Sequence, residues 1–408
     1  MVCIMSVEKI LISVIVITVL CGCKRKMVNE SAQEIISVNP YEAEKSVNLS
    51  EFVDSVKCIR LQTDSDDFMG RIREIVIREQ YIYAIDITQQ MIFLFDKTGK
   101  FVTKLNKRGE GPGEYRFMGP VFIDENEEYI ELIDYGGKED MKLKYSNISF
   151  DLLESHPFPH VRCNSCKEKD GIYYFSPQHL DDVINGKKVN ANLVILDRER
   201  NKKVFFDKAI ETNGSSFCAN IESFARNDKD ELFVSFMYDN TFYKLDTTEV
   251  SPAITVDFGK YGMDNSVGLE PLGKQIEYIR QLDGLASFPV LNINNSDIMS
   301  FSYYFKETGD ARMYREQDYR MYIRLKEDNK VYHVKQIKND ITDFPENVYI
   351  SSYFFDCAHE VWYDDYLVDI VIPSSYFYNR NADEIYIDGL GEITSEDNPV
   401  IVMMKLKK

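Results

Sequence analysis

A unit of short, apolar-alternating strands recurs along this chain and limits what it can fold into. Tyr81–Asp86 and Ile92–Asp96 read as half-buried strands. Lys97–Lys100 forms a tight turn with Gly99 where a positive φ is expected, and Phe101–Leu105 returns. The same meander reappears at Gly171–Phe175, Leu193–Asp197 and Val204–Phe206, and again at Glu231–Phe236, Thr241–Asp246 and Ala253–Asp257. Met321–Leu325 and Val331–Val334 continue it. An aspartate closes the middle strand of three copies. Asp96 to Asp197 is 101 residues and Asp197 to Asp246 is 49, so one step is twice the other, and Tyr129–Asp134 falls in the gap. Periods of about 40–50 residues with four strands each belong to propeller blades. One such sheet cannot bury both faces alone; radial stacking buries them and leaves only short edges.

The count gives six units, centred on 70–115, 116–158, 159–212, 217–260, 296–340 and 348–407. Val56–Leu61 is expected to pair into the last unit and close the ring. The expected fold is therefore an all-β, six-bladed β-propeller over residues 47–408, with one short inserted helix. That helix is placed at Pro271–Leu285, where Leu272, Ile276, Ile279, Leu282 and Leu285 are spaced by three and four and Pro271 suits a first helical position.

Composition narrows the partners. The formal charge is −19, which repels phosphate backbones and argues against nucleic acid. Anionic lipid would repel the folded body as well. Phe and Tyr number 25 and 26 against one Trp, Trp362, and they suit pleated, half-buried surfaces. Stacking on sugar rings is a second use for them. Five cysteines lie beyond residue 23: Cys58, Cys163, Cys166, Cys218 and Cys357. An odd number leaves at least one thiol unpaired.

The N-terminus carries an address. An apolar run of 11 residues, Ile10–Leu20, follows Lys9 and precedes Lys24-Arg25-Lys26. It is too short to span a bilayer, which takes ~20 residues. It suits a secretory signal with small residues at the cleavage site. Leu20-Cys21-Gly22-Cys23 resembles the lipobox of bacterial lipoproteins. The resemblance implies a signal peptide at 1–22 and acylation of Cys23 as the first mature residue. Residues 23–46 then read as a polar tether. Attachment to the membrane would rest on the acyl chains, with the protein at the outer membrane facing the periplasm.

Arg108-Gly109-Glu110-Gly111-Pro112-Gly113-Glu114-Tyr115 is the most distinctive string. It resembles the Gly-x-Gly-Pro-Gly-Glu-Tyr/Phe loop of six-bladed β-propeller lipoproteins, an NHL-like bacterial group, where it links the first blade to the second. The lipobox, the tether, the closing strand and the Phe-Asp-x-x-Gly turn at 95–99 fit the same group. The resemblance implies fold and compartment and imports no catalytic set. As a phosphate cradle the loop is a poor fit, because Glu110 and Glu114 flank the glycines and repel anions. Arg108, Glu114 and Tyr115 remain candidates for ligand contact at a face of the ring.

Other constellations point to bland roles. Cys163-Asn164-Ser165-Cys166 has redox spacing but no βαβ setting, which leaves a local disulfide or two idle thiols. His156 and His160 flank two prolines that forbid the helix a shared metal would need. His179, His333 and His359 are isolated. Asp64–Asp67, Asp364-Asp365, and Glu125 with Glu127-Glu128 read as solvated acidic turns. No catalytic residue, metal ligand set or cofactor motif is identified. The expectation is a lipid-anchored envelope module that binds a ligand or partner, with glycans, peptides or another envelope protein as candidates. The rival is a hydrolase or lyase with its site at the central channel.

Overall fold

The computed structural model describes residues 33–407 apart from 64–67, 162, 164, 178–179, 208–223, 308–317, 352, 355–356, 379 and 381. Cys23 and the rest of the signal and lipobox, the acidic run at 64–67, His179 and Cys218 thus lie outside the described residues.

The chain folds as an all-β propeller whose sheets follow one another in sequence order. The first sheet is Ile72–Ile77, Tyr81–Asp86, Met91–Asp96 and Phe101–Leu105. The second is Met118–Ile123, Tyr129–Asp134, Met141–Ser146 and Leu152–Pro157. The third holds Ser165–Lys169, Ile172–Ser176, Lys187–Leu196 and Lys202–Asp207. The fourth is Phe224–Arg226, Leu232–Val234, Thr241–Asp246 and Glu249–Asp257. The fifth is Ala286–Asn294, Ile298–Phe305, Tyr319–Leu325 and Val331–Val334. In the last, Trp362–Tyr363, Tyr366–Val371 and Val400–Leu406 are joined by Val53–Arg60 from near the start of the chain.

That final pairing is the closure the sequence leads one to expect. Ile59 stands opposite Ile401 and Cys58 opposite Val402, antiparallel, so strands from the two ends of the chain share one sheet. The inner rim closes too, because Ala358 and His359 pair in parallel with Glu74 and Ile75 of the first sheet.

The recurring aspartates have a physical role. Asp96 Oδ1 accepts the N–H groups of Thr98 and Lys100 at 2.8 and 3.1 Å. Asp197 Oδ1 accepts those of Glu199 and Asn201 at 2.9 and 2.8 Å. Asn227 repeats the pattern with Lys229 and Glu231 at 3.0 and 2.8 Å. Each side chain caps its own hairpin. The residue three positions on adopts a positive φ in each turn: Gly99 at 86°, Arg200 at 68°, Asp230 at 56°. Glycine meets this demand without strain at the first turn; the others hold it against a modest steric cost.

The core lies between the sheets. Ile82, Ala84, Phe93 and Phe95 pack with Ile59, Ile370 and Ile401 between the first and last sheets. Tyr83, Ile85, Ile92 and Leu94, on the other face of the first sheet, pack with Ile130, Leu132 and Tyr145 of the second. Both faces of each inner strand are covered, which is why these strands read as near-continuous apolar runs.

Four expectations need correction. The count of six omits a sheet. Among the described residues there are seven sheets of three or more strands, the additional one formed by Val47–Asn48, Ile337–Lys338 and Asn347–Val348. Its strands are two residues long, too short for any period to register. The folded body also begins before residue 47. Glu34–Ser37, expected in the tether, pairs in parallel with Ile254–Asp257 on the edge of the fourth sheet. Arg324 grips Glu34 there through two contacts of 2.5 and 3.1 Å. The inserted helix is shorter than expected, Leu272–Ile279, with Pro271 at its N-cap instead of its first turn. A second short helix, Pro373–Tyr378, was not anticipated.

Candidate functional site

The opening strands of the first, third and fourth sheets and the first two strands of the second meet at the centre of the ring. These strands bring charged residues from distant parts of the chain to one cavity of about 330 Å³. Glu74 and Arg78 come from the first sheet, Glu131 from the second, Lys167 and Glu168 from the third, Arg226 from the fourth, and Glu360 from the segment that opens the last.

Some of the ion pairs run between sheets. Lys167 Nζ meets Glu74 Oε1 at 2.9 Å, joining the third sheet to the first over the intervening second. Arg226 Nη1 meets Glu125 at 2.7 Å and Asp230 at 3.3 Å. Arg78 Nη1 meets Glu360 Oε2 at 3.3 Å. Lys142 Nζ backs the cavity wall at 2.9 Å from Glu131, whose other oxygen accepts from the Tyr173 hydroxyl at 3.3 Å. The pairs thus brace the channel from opposite sides while leaving it open and polar.

Glu360 lies deepest. Protein surrounds it, yet 35 % of its side chain stays accessible, because it faces the channel lumen. Burial alone would push its carboxyl up; Arg78, Arg226 and Lys167 outweigh that and hold it below the usual carboxylate range. Arg226 shows the converse, since burial opposes its charge but Glu360, Asp230 and Glu125 raise its affinity for the proton. Glu168 differs. Burial pushes its carboxyl up, the Gly171 N–H at 2.6 Å pulls it down, and the charge of Glu131 adds to the rise. It is held above its ordinary range.

Beneath the cavity the channel narrows to about 20 Å³, lined by Phe224, Ala225, Asn292 and His359. That is room for about one water. His359 Nε2 lies 3.2 Å from the Val368 carbonyl, and burial lowers its pKa to about 4.

The sequence-derived candidates fall elsewhere. None of Arg108, Glu114 and Tyr115 lines the cavity. Tyr115 is fully buried, and its hydroxyl donates to the Gln90 carbonyl at 2.5 Å. It anchors the glycine loop from beneath. Glu114 is exposed and accepts the Gly111 N–H at 2.7 Å, folding the loop on itself. A Cβ on Gly109 would stand 1.9 Å from the Glu114 carboxylate, so the exposed Glu114 side chain would have to move to admit one. Arg108 is exposed, with its backbone bridged to Tyr115.

Other expectations resolve as follows. Cys58, Cys163, Cys166 and Cys357 form no disulfide among the described residues. His156 and His160 are not brought together on a metal: His156 contacts Glu154 at 3.3 Å and His160 contacts Asp140 at 2.6 Å. Glu127, expected in a solvated turn, is buried and accepts from Gln80 N, Tyr81 N and the Tyr83 hydroxyl at 2.6, 2.9 and 3.1 Å. It fastens the second sheet to the first. No group of three or more metal-ligating side chains occurs among the described residues.

The cavity residues were missed because each looks ordinary in sequence. The available signal was a charge inside the opening strand of three units: Glu74 in Ile72–Ile77, Lys167 and Glu168 in Ser165–Lys169, Arg226 in Phe224–Arg226.

Residues 33–405 match the family described as "Domain of unknown function (DUF4934)", and the chain belongs to that family. Among solved structures, a Bacteroides fragilis protein described as exported is similar at 17% identity and a TM-score of 0.64, covering 92% of this chain and 100% of its own. A member of the duf4221 family from Bacteroides vulgatus is similar at 11% identity and a TM-score of 0.51, covering 87% and 97%. At such identities the likeness concerns the fold. No curated protein matches the sequence. No helix among the described residues is long and apolar enough to cross a membrane.

The buried histidines yield a test. A histidine with a depressed folded pKa contributes stability that is present above its unfolded pKa of about 6.5 and is lost as pH falls toward the folded value. Burial also lowers His333 to about 4, with Arg320 adding to the effect. Nitrogen-detected NMR should find His333 and His359 neutral at pH 5, with unfolding midpoints falling between pH 6.5 and 4. Titration of both rings near pH 6.5 would contradict this.

Proposed function

We propose that this member of the DUF4934 family is an exported propeller, held to the envelope by acyl chains on Cys23, that binds a small polar ligand in its channel cavity. The observation that carries the proposal is the cavity itself. Its volume of about 330 Å³ falls within the roughly 300–1,000 Å³ of small-ligand sites, and charged groups from four sheets, with Glu360 ahead of the last, converge on it. Kinship with the NHL-like lipoproteins belongs to the same proposal and is supported by the glycine loop and the lipobox. The exported description of the Bacteroides fragilis protein supports the compartment.

Glycans lose their main support. The aromatic residues that favoured them are largely spent in the core, with Tyr83, Phe93, Phe95, Tyr145 and Tyr303 all fully buried. What the cavity offers is charge. The rival reading, a hydrolase or lyase, draws on one observation: burial, with the charge of Glu131 adding to it, raises the Glu168 carboxyl above its ordinary range, the kind of tuning acid–base chemistry uses.

Two measurements test the proposal. In a thermal-shift screen of small polar metabolites, a ligand of the cavity should raise the midpoint of the wild type by several degrees. Arg226→Met should abolish the shift. Hits that stabilise both proteins equally would place binding elsewhere, and conversion of a hit into product would decide for the enzyme. For the anchor, labelled palmitate should enter the wild type and not Cys23→Ser, which should move to the soluble fraction. A Cys23→Ser protein that keeps both label and membrane would refute lipidation.

A further inference from the structure

The chain joins the ring as a strap along its outer rim. Between Glu34 and Gln62 it meets the fourth, fifth, short-stranded, last and first sheets in turn. Glu34–Ser37 pairs in parallel with Ile254–Asp257 at the edge of the fourth. Glu44 pairs with Val334 of the fifth; its N–H donates to the His333 carbonyl at 2.8 Å and its carbonyl accepts from Lys335 N at 2.9 Å. Val47–Asn48 lies in the short-stranded sheet and Val53–Arg60 in the last. Gln62 reaches the first, where its N–H donates to the Gly99 carbonyl at 2.8 Å. At the leading end, Gln33 Nε2 donates to Thr255 Oγ1 at 2.5 Å and Glu34 pairs with Arg324. A segment paired at so many points has little freedom of its own, and any free tether ends at Gln33.

The direction of the strap is fixed as well. In an antiparallel meander the turn between strands one and two and the turn between strands three and four lie at the same end of the sheet. The cavity mouth is at that end, since Asp124, Glu125, Asp170 and Asp230 come from turns between first and second strands. Glu249–Asp257 is the last strand of the fourth-sheet meander and starts at the same end. Glu34–Ser37 runs parallel to it, so the chain before Glu34 points back to the mouth side. Charge agrees, because Lys326 lies in the fields of both Glu34 and Asp228, the latter in the first turn of the fourth sheet.

From this we infer that the acyl anchor and the cavity mouth share one side of the ring, so that the cavity opens toward the bilayer that holds Cys23. The inference rests on the lipid-anchored reading above. Residues 24–32 separate Cys23 from Gln33. Their reach is at most about 36 Å and, as flexible chain, about 17 Å on average. To turn the opposite face to the bilayer, the tether would first have to run the height of a sheet, roughly 17–20 Å for strands of five or six residues. That takes up about half of the extended length and excludes most of the chain's conformations. The mouth-side arrangement requires no such detour. Asp124, Glu125, Asp170 and Asp230 outnumber Lys169 at the rim, so an anionic surface repels the mouth and keeps it from sealing against lipid. Lys24-Arg25-Lys26 carries the opposite charge at the foot of the tether.

Energy transfer from the full-length protein to acceptor-labelled headgroups of phosphatidylcholine vesicles tests it. A keto amino acid carries the donor dye in place of Lys229 or of Lys274. Lys229 is exposed in the first turn of the fourth sheet, on the mouth side. Lys274 is exposed on the helix Leu272–Ile279, which follows the far end of Glu249–Asp257 and so marks the opposite face. The donor at 229 should lie nearer the headgroups by about 15–20 Å, the height of a sheet. A flexible insert of roughly twenty Gly and Ser residues after Met27 should erase the difference. Equal transfer from the two positions, or stronger transfer from 274, overturns the inference. A difference that persists with the long tether also overturns it, since the body would then be docking through its own surface. Cys23→Ser should fail to float with the vesicles. If the wild type fails in the same way, the lipid-anchored reading itself falls, and the inference with it.

Discussion

Arg78 and Glu360 are 282 residues apart in sequence and meet at 3.3 Å because the ends of the chain share a sheet. Closure of the ring is the constraint from which the rest follows. Pairing of Val53–Arg60 with Val400–Leu406 removes two open edges at once. It also fixes the separation of the opening strands across the centre, since each sheet packs between two neighbours. A channel of set width results, and whatever side chains those strands aim inward must share it.

Burial and charge then divide the strands. Faces between sheets exclude water and are filled by Ile, Leu, Phe and Tyr, contacts whose strength scales with apolar area. The inward edge has no neighbour to pack against, so it can carry charge if the charges are paired. The Lys167–Glu74 and Arg226–Glu125 contacts pair them over the space between sheets. A paired charge network is stable while intact and costly when one member is removed. The wall groups of the cavity therefore hold one another in place.

Much of the fold was legible in the chain. The period-2 alternation of Tyr81–Asp86 and the capping aspartates at 96 and 197 are local properties, and local properties survive in sequence. The closing strand was legible for the same reason. The sheet of two-residue strands and the docking of Glu34–Ser37 were not, because four or fewer residues carry no period and their pairing depends on partners far along the chain. The site was illegible for a related reason. Glu74, Lys167, Arg226 and Glu360 become neighbours only in the closed ring. The conspicuous glycine loop proved to be self-supporting, with Tyr115 beneath it and Glu114 across it. Conspicuous spacing marked a demand of the backbone, and the charged site lay in residues with no motif.

The central claim is that charges on non-adjacent sheets are coupled across an enclosed channel. A double-mutant cycle on Lys167 and Glu74, using Lys167→Met and Glu74→Gln with stability read by urea unfolding, measures that coupling directly. The account predicts an interaction energy of about 1 kcal/mol or more, since both side chains are largely buried at 2.9 Å. Additivity of the two substitutions to within about 0.3–0.5 kcal/mol would mean that the pair is solvated and uncoupled, and would contradict it.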